Sequence, residues 1–206
     1  MQALFARIAR FARERPRQHA LADGRTCIDY RELQREITRT AEVLAWNRIG
    51  LLLDNSCAWA ILDLAMQQRA ATGIPMPSFF SDAQLRHLVA DAGLEVIITD
   101  QPERALYLSG GSPAGDIGVA GTRLACIVTA ATQRRALPSG VTRITYTSGT
   151  TGRPKGVCLT SAAMQRVTVS LAVATGATGK DRSLALLPFS QLTGPADVGN
   201  RAALTS

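Results

Sequence analysis

The segment with the clearest chemical character runs from Thr147 to Gly156, within the string TYTSGTTGRPKGVCLT. Three of its residues are glycines, which permit backbone angles and close approaches that a Cβ atom would block. Successive backbone N–H groups in such a turn can point at one anion and hold it. The glycines that allow this arrangement are Gly149, Gly152 and Gly156.

The same segment carries side chains that suit a phosphate chain. Hydroxyl groups can donate hydrogen bonds to phosphate oxygens or help to hold a hydrated magnesium ion. Lys155 adds a positive charge at the end of the segment, because the lysine amine is protonated at neutral pH. We therefore predict a polyphosphate-binding loop, whose hydroxyl residues are Thr147, Ser148, Thr150 and Thr151.

Other interpretations of this loop are weaker. A cluster of Gly, Ser and Thr usually marks only a solvated turn, but the complete ten-residue string disfavours that interpretation. The loop of ordinary nucleoside triphosphatases and kinases reads GxxxxGK[ST], whereas Gly156 follows Lys155 here. A phosphotransfer enzyme with an unusual loop is therefore a disfavoured rival. Asp100, which ends a β-rich run, resembles a magnesium-binding position, and we interpret it as structural.

Composition narrows the class of protein. The chain has 206 residues and a net charge of +7. Its arginines are scattered, without a basic cluster interleaved with aromatic residues, so we expect no nucleic-acid partner. No stretch approaches the roughly 18 apolar residues of a membrane span. The four cysteines lie far apart, which favours reduced thiols in the cytoplasm over a zinc site or disulfides. We interpret both histidines, His19 and His87, as surface or helix-face residues.

Helical and strand patterns alternate along the chain. Helix starts are indicated by the capping residues Asp29, Ser56 and Ser81, each followed by apolar residues at helical spacing. The alternation predicts an α/β fold, with a parallel or mixed sheet and helices on both faces. The prolines of the second strand confine it to a sheet edge or place them at its end. The predicted strands are residues 49–53, 72–77, 96–99, 124–129 and 143–146.

Two segments are less regular. Residues 1–16 have one apolar face and several arginines, which is typical of an amphipathic helix or of an arginine-rich transit peptide. We favour the helix, because serine is absent and Glu14 is present. Residues 100–122 are rich in Gly, Ser and Pro, which predicts a surface excursion and a candidate lobe boundary within residues 100–123.

The string TSGTTGRPKG, preceded by Tyr146 and followed by Val157, resembles the phosphate-loop signature of the adenylate-forming superfamily. This superfamily includes acyl-CoA synthetases, luciferases and the adenylation domains of peptide synthetases. Residues 29–33 resemble an early TYxEL-like segment of the family, residues 52–56 its strand-ending Asn-Ser turn, and residues 85–99 its next helix and strand. The resemblance spans nearly the whole chain.

The resemblance implies a reaction and a set of site residues. A carboxylic acid, fatty or aryl, would attack the α-phosphate of Mg-ATP to give acyl-AMP and pyrophosphate. Coenzyme A or the phosphopantetheine of a carrier protein would then accept the acyl group. Residues 147–155 would hold the β- and γ-phosphates, with Thr147 and Lys155 in catalytic roles. Residues 187–194 resemble the segment that approaches the acyl pocket, where Gln191 stands in place of a common histidine.

Family members are more than twice as long as this chain. Their later parts carry the adenine and ribose contacts, a magnesium-binding acid and a C-terminal domain with a catalytic lysine. We therefore expect residues 1–206 to form the N-terminal portion of the large ligase domain, without that lysine domain and inactive alone. The alternative is a truncated, non-catalytic nucleotide-binding module.

Overall fold

A computed structural model describes residues 2–131, 135–147, 153–178, 181–185 and 187–190. Its six helices are α1 (Gln2–Glu14), α2 (Tyr30–Val43), α3 (Cys57–Gln68), α4 (Asp82–Ala92), α5 (Pro102–Ser109) and α6 (Ser161–Ala174). Its nine strands are β1 (His19–Ala22), β2 (Cys27–Asp29), β3 (Arg48–Leu52), β4 (Thr72–Pro75), β5 (Val96–Thr99), β6 (Ser112–Val119), β7 (Thr122–Val128), β8 (Val141–Thr147) and β9 (Lys155–Thr160).

Seven of these strands form one mixed sheet in the order β6-β7-β5-β3-β4-β8-β9. The central strands β5, β3, β4 and β8 are parallel, and antiparallel strands complete both ends. Strands β1 and β2 form a separate antiparallel pair. The predicted α/β class with a parallel or mixed sheet is confirmed, and the sheet is mixed.

Helices cover both faces of this sheet. Along β5, Val96 and Ile98 belong to the apolar cluster that includes α1, α2 and α3, whereas Ile97 belongs to the cluster that includes α4 and α5. Alternate side chains of a strand point to opposite faces, so each face of the sheet is buried under its own helices. None of the described helices has the length and apolar composition that a membrane crossing requires.

The predicted helix starts are confirmed by their capping contacts. The side chains of Asp29 and Ser56 accept hydrogen bonds from the backbone N–H three residues on, which begins α2 and α3. Ser81 and Gln84 form a complete capping box at α4, which ends at Gly93 in the left-handed conformation. The apolar face of α1 is buried, as expected of an amphipathic helix that packs on the domain.

Strand β4 lies inside the sheet, between β3 and β8, and not at an edge. Its only proline, Pro75, is its last residue, so the missing N–H falls at the end of the ladder, where it does least harm. The prolines allowed either an edge strand or prolines at the end of the strand, and the second arrangement is the one observed.

Residues 100–122, predicted to form a surface excursion, are built from regular elements, and most residues of their strand are exposed. This segment forms α5 and β6, and β6 pairs with β7 at the end of the sheet. Proline is tolerated in β6 because the strand is terminal. Gly115 and Gly121 adopt positive φ angles, in the strand and at the turn into β7. The candidate lobe boundary at residues 100–123 stays a prediction.

Asp23 joins the turn between β1 and β2 to the start of α3. Its carboxylate accepts hydrogen bonds from the backbone N–H groups of Thr26 at 2.7 Å, Cys57 at 2.8 Å and Arg25 at 2.9 Å. Burial acts to raise the pKa of Asp23, but these three donors together hold the pKa below its ordinary value. The ionised carboxylate therefore contributes to stability.

We expect Asp23→Asn to lower the free energy of unfolding at pH 7 by about 1–2 kcal/mol. The amide has only one acceptor oxygen and no negative charge, so it cannot replace the carboxylate as acceptor for all three N–H groups. The folded pKa lies below the unfolded value of about 3.9. The stabilisation is therefore present above that pH and disappears as the pH falls through the folded pKa. Urea unfolding should show that the stability of the variant approaches that of the original chain as the pH falls from 7 to 3.5. The exposed control Asp100→Asn should have the stability of the original chain at every pH. A constant difference across this range would contradict the assignment.

Candidate phosphate-binding site

The hairpin of β8 and β9 brings the two ends of the predicted phosphate loop together. Thr147 is the register partner of Lys155 in the last pair of this antiparallel ladder. Directly opposed residues of such a pair lie about 4.5–5.5 Å apart at Cα and project to the same face. Both residues are exposed. The remaining predicted loop residues, Ser148, Gly149, Thr150, Thr151 and Gly152, lie outside the described residues.

The two described ends of this loop, Thr147 and Lys155, lie at the carboxyl edge of the parallel strands. Strand β8 is parallel to β4, and β4 is parallel to β3, so Thr147 lies at the same edge of the sheet as the residues that follow β3. Open α/β sheets bind ligands at the carboxyl ends of their strands. The topology therefore places the two ends of the predicted loop at the edge where this class of fold holds its ligand.

Asn55 follows β3 at this edge and holds the start of the second predicted site segment. Its Nδ2 donates to the carbonyl of Leu187 at 2.8 Å, and its Oδ1 accepts from the N–H of Phe189 at 2.7 Å. The ring of Phe189 packs on Trp59, with centroids 4.9 Å apart. Gln191 lies outside the described residues, and its contact with the substrate stays a prediction.

A buried ion pair supports the strand that leads into the loop. Arg143 of β8 pairs with Asp63 of α3, and the side chains of both are almost completely buried. Gln67 donates to the other oxygen of Asp63 at 2.7 Å. The Arg143 guanidinium also lies 5.7 Å from the centre of the Trp59 ring. Burial raises the pKa of Asp63, and the guanidinium and amide oppose that rise.

The opposite face of β8 packs on α4. Tyr146 is buried, and its hydroxyl donates to Asp91 Oδ2 at 2.7 Å. Burial, with this hydrogen bond to a carboxylate, raises the pKa of Tyr146, so the phenol stays protonated. Gly156 lies directly beneath the ring, because a Cβ atom built there would be 3.0 Å from Tyr146 Cζ and 3.0 Å from Ile144 Cγ2. A larger residue at position 156 would therefore require these two side chains to shift by a few tenths of an ångström.

We expect Gly156→Ala to lower the free energy of unfolding by about 1–2 kcal/mol, because the added methyl group must displace the Tyr146 ring. The matched control is Gly118→Ala in β6, where a Cβ atom would meet nothing within 4 Å. That change should be neutral or slightly stabilising, since alanine restricts the unfolded chain. Urea unfolding of the two variants measures the difference. Equal stability of both would show that Tyr146 does not pack on position 156.

The residues present fit a phosphate chain better than a protein-held metal ion. Among the described residues, no group of three or more His, Cys, Asp or Glu side chains could hold a metal. The hairpin end instead offers a hydroxyl and an ammonium group on one face. Mg²⁺ commonly keeps several waters and binds through substrate phosphates, so the ion would be held together with the nucleotide.

Several residues that shape this site were not singled out from the sequence. Sequence patterns assign no role to Asp63 or Arg143, and they indicate only a surface or helix-face position for His87. The ring of His87 contacts the carbonyl oxygen of Pro154, at 3.2 Å from Nε2. Asp63 and Arg143 each interrupt an apolar helix or strand pattern with a charge. Such a charge indicates a buried ion pair, since charged groups are almost never fully buried unless they are paired.

Comparison with known proteins identifies the family. The sequence profile of the family described as AMP-binding enzyme matches residues 8–196. The chain belongs to this family. It is 30% identical over 195 residues to a feruloyl-CoA synthase of Amycolatopsis, covering 87% of this chain and 38% of that protein. It is 27% identical over 195 residues to tyrocidine synthase 2 of Brevibacillus parabrevis, covering 89% of this chain and 5% of that protein.

The fold agrees with that assignment. The structure of O-succinylbenzoate coenzyme A synthetase from Bacillus subtilis, in complex with AMP, superposes with a TM-score of 0.71 at 20% identity. The match covers 97% of this chain and 54% of that one. The described residues therefore have the fold of part of such a ligase, and the chain spans well under two thirds of the relatives it matches.

Proposed function

We propose that the chain is the N-terminal portion of an ATP-dependent acid–thiol ligase, within the domain that forms the acyl adenylate. The observation that carries the proposal is the pairing of Thr147 with Lys155 at the carboxyl edge of the sheet, in a chain of the AMP-binding enzyme family. This pairing puts a hydroxyl and an ammonium group at the two ends of a glycine-rich turn. Such a turn suits the β- and γ-phosphates of Mg-ATP.

In the proposed reaction a carboxylate oxygen attacks the α-phosphorus of ATP. The bond from that phosphorus to the bridging oxygen breaks, and pyrophosphate leaves with the bond electrons. A thiol then attacks the acyl carbon of acyl-AMP, loses its proton and releases AMP. Lys155 and the hydroxyls from Thr147 to Thr151 stabilise the charge that develops on the leaving pyrophosphate, and none of them acts as a nucleophile.

The substrate is proposed from the named relatives and the second segment. A fatty or aryl acid would lie beside residues 187–191, whose start is anchored by Asn55, with Gln191 contacting it. The name of the relative feruloyl-CoA synthase supports coenzyme A as the acyl acceptor, and a carrier-protein phosphopantetheine is the alternative acceptor that we propose. We propose a cytoplasmic location, in which both acceptors are available.

Binding of a phosphate chain gives the first test. Calorimetry on the 206-residue chain should show that Mg-ATP and Mg-tripolyphosphate bind with similar affinity, because the loop contacts the β- and γ-phosphates. AMP should bind far more weakly, since it lacks both. Binding of AMP as tightly as Mg-ATP, or no binding of tripolyphosphate, would overturn the assignment of the loop.

Turnover gives the second test. The chain alone should show no acid-dependent exchange between ATP and pyrophosphate, because we propose that later parts of the ligase supply the adenine contacts and the catalytic lysine. Exchange should appear when those parts are supplied as a second chain. Robust exchange by the 206-residue chain would contradict the proposal of a fragment. Tight Mg-ATP binding that a partner chain does not convert to turnover would instead indicate the non-catalytic nucleotide-binding module.

A further inference from the structure

Helix α4 contacts both arms of the phosphate-loop hairpin, next to the two ends of the loop. On the β8 arm, the hydroxyl of Tyr146 donates to Asp91 Oδ2 at 2.7 Å. On the β9 arm, His87 Nε2 lies 3.2 Å from the carbonyl oxygen of Pro154. Tyr146 immediately precedes Thr147, and Pro154 immediately precedes Lys155. Each contact is therefore one residue from a residue that the proposed function assigns to phosphate binding.

The two α4 residues act from one side of the helix. His87 and Asp91 are four residues apart, which places their side chains on the same face, one turn from each other. That face is the one toward the hairpin, because its contacts reach β8 and the residue before β9. One helix thus contacts the residues next to both ends of the loop.

The contact with Pro154 pairs a backbone carbonyl in a partly buried position. Pro154 is buried, and it lies just beyond the last ladder pair of the hairpin. A carbonyl can only accept a hydrogen bond, so His87 Nε2 must carry the proton. Buried backbone carbonyls are almost always paired, and this ring supplies a donor.

The contact with Tyr146 is fixed on two sides. Gly156 leaves the space in which the phenol ring lies, and Asp91 accepts from its hydroxyl. A hydrogen bond to a carboxylate is stronger than one between neutral groups. The ring therefore links the last residues of β8 both to β9 and to α4.

Helix α4 is itself well fixed. Its capping box and its left-handed Gly93 define both ends. Leu85 and Leu88 are completely buried beneath it, and Arg104 bonds Asp82 in its first turn at 3.0 Å. The helix thus provides a stable base for the hairpin.

We propose that His87 and Asp91 are positioning residues that preorganise the phosphate loop by fixing its two ends to α4. This inference rests on the proposed function of the loop. Immobilising a segment on binding costs free energy, and fixing the two ends of that segment beforehand avoids part of the cost. The two residues act through Pro154 and Tyr146 and do not contact the nucleotide.

The test compares deletion variants with conservative ones in the 206-residue chain. His87→Phe and Asp91→Ala remove the two hydrogen bonds, whereas His87→Gln keeps a donor and Asp91→Asn keeps an acceptor. Ala90→Ser, at an exposed position of α4, is the matched control. Amide hydrogen exchange across residues 141–160 without nucleotide, Mg-tripolyphosphate affinity and urea unfolding are measured for each.

Each deletion is expected to raise exchange selectively at residues 147–155 and to weaken Mg-tripolyphosphate binding about three- to tenfold. The conservative variants and the control should remain near the original chain. Tyr146→Phe deletes the same hydrogen bond as Asp91→Ala, so the two effects should not add. Tyr146→Phe also tests the contact should Asp91→Ala fail to fold.

Two results are kept separate by this design. An exchange pattern in which deletions act no more on residues 147–155 than on the rest of the chain would overturn the positioning role. So would deletion variants that bind as tightly as the conservative ones. Absence of tripolyphosphate binding by the original chain would overturn the proposed function instead, and hydrogen exchange would still decide whether α4 fixes the loop.

Discussion

Arg143→Met is expected to lower the free energy of unfolding by about 3–5 kcal/mol, the usual cost of removing one partner of a buried ion pair. Asp63 would remain inside the protein without its counter-charge, and only Gln67 would still donate to it. Burial already raises the pKa of Asp63, and loss of the guanidinium removes the main opposing influence. Urea unfolding at pH 7 measures the change.

The double variant Asp63→Leu, Arg143→Met is the matched control. It removes both charges and fills the site with apolar atoms, so it should recover much of the lost stability, although the buried Gln67 amide loses its acceptor. A double variant as unstable as Arg143→Met alone would show that the cost came from lost packing rather than from the unpaired carboxylate. A fully stable Arg143→Met variant would contradict the buried pair altogether.

Lys155→Met is expected to weaken Mg-ATP binding about ten- to a hundredfold, because one charge-assisted interaction contributes roughly 1.5–3 kcal/mol. Methionine keeps an unbranched apolar side chain and deletes only the charged end, so the hairpin should remain folded. Lys155 is exposed and pairs with Thr147 through the backbone ladder. Stability should therefore change little, and the affinity measured by calorimetry should change greatly.

Arg13→Met controls for the loss of one positive charge elsewhere. Arg13 is exposed in the last turn of α1, a helix that packs on α2, and its removal changes the net charge by the same amount. Both variants are compared at one ionic strength, since salt screens charge effects at a distance. Equal loss of affinity in the two would mean that general attraction, not a contact at the loop, holds the nucleotide.

The helix starts could be predicted because their signals are local. A capping residue and the N–H that it accepts from are three positions apart, as for Asp29 and Ser81, so a short window of sequence contains the whole interaction. The phosphate loop was predicted for the same reason. Its glycines, hydroxyls and lysine are consecutive, and the fold brings Thr147 and Lys155 together by a hairpin.

The order of the strands in the sheet, and the contacts that hold β8 against α3 and α4, could not be predicted from local sequence patterns. The position of β4 between β3 and β8 depends on strands that are distant in the sequence. Residues 72–77 contain no pattern that identifies those strands. The glycine and proline content of residues 100–122 predicts a surface excursion but does not reveal its strand, because both residue types are tolerated in a terminal strand and its turn. Tyr146 and Asp91 are 55 residues apart, and Arg143 and Asp63 are 80 apart.

Strand β9 is last in the sheet and, within the described part of the chain, has a neighbour on one side only. Half of its main-chain amides and carbonyls therefore face outward, where water or a further strand must satisfy them. Val157 is exposed on this strand, and several valines of the adjoining α6 are exposed as well. The edge of the sheet therefore carries exposed apolar surface. A preparation of residues 1–206 should consequently self-associate through this sheet edge as its concentration rises. Charged substitutions at Val157 should reduce that self-association.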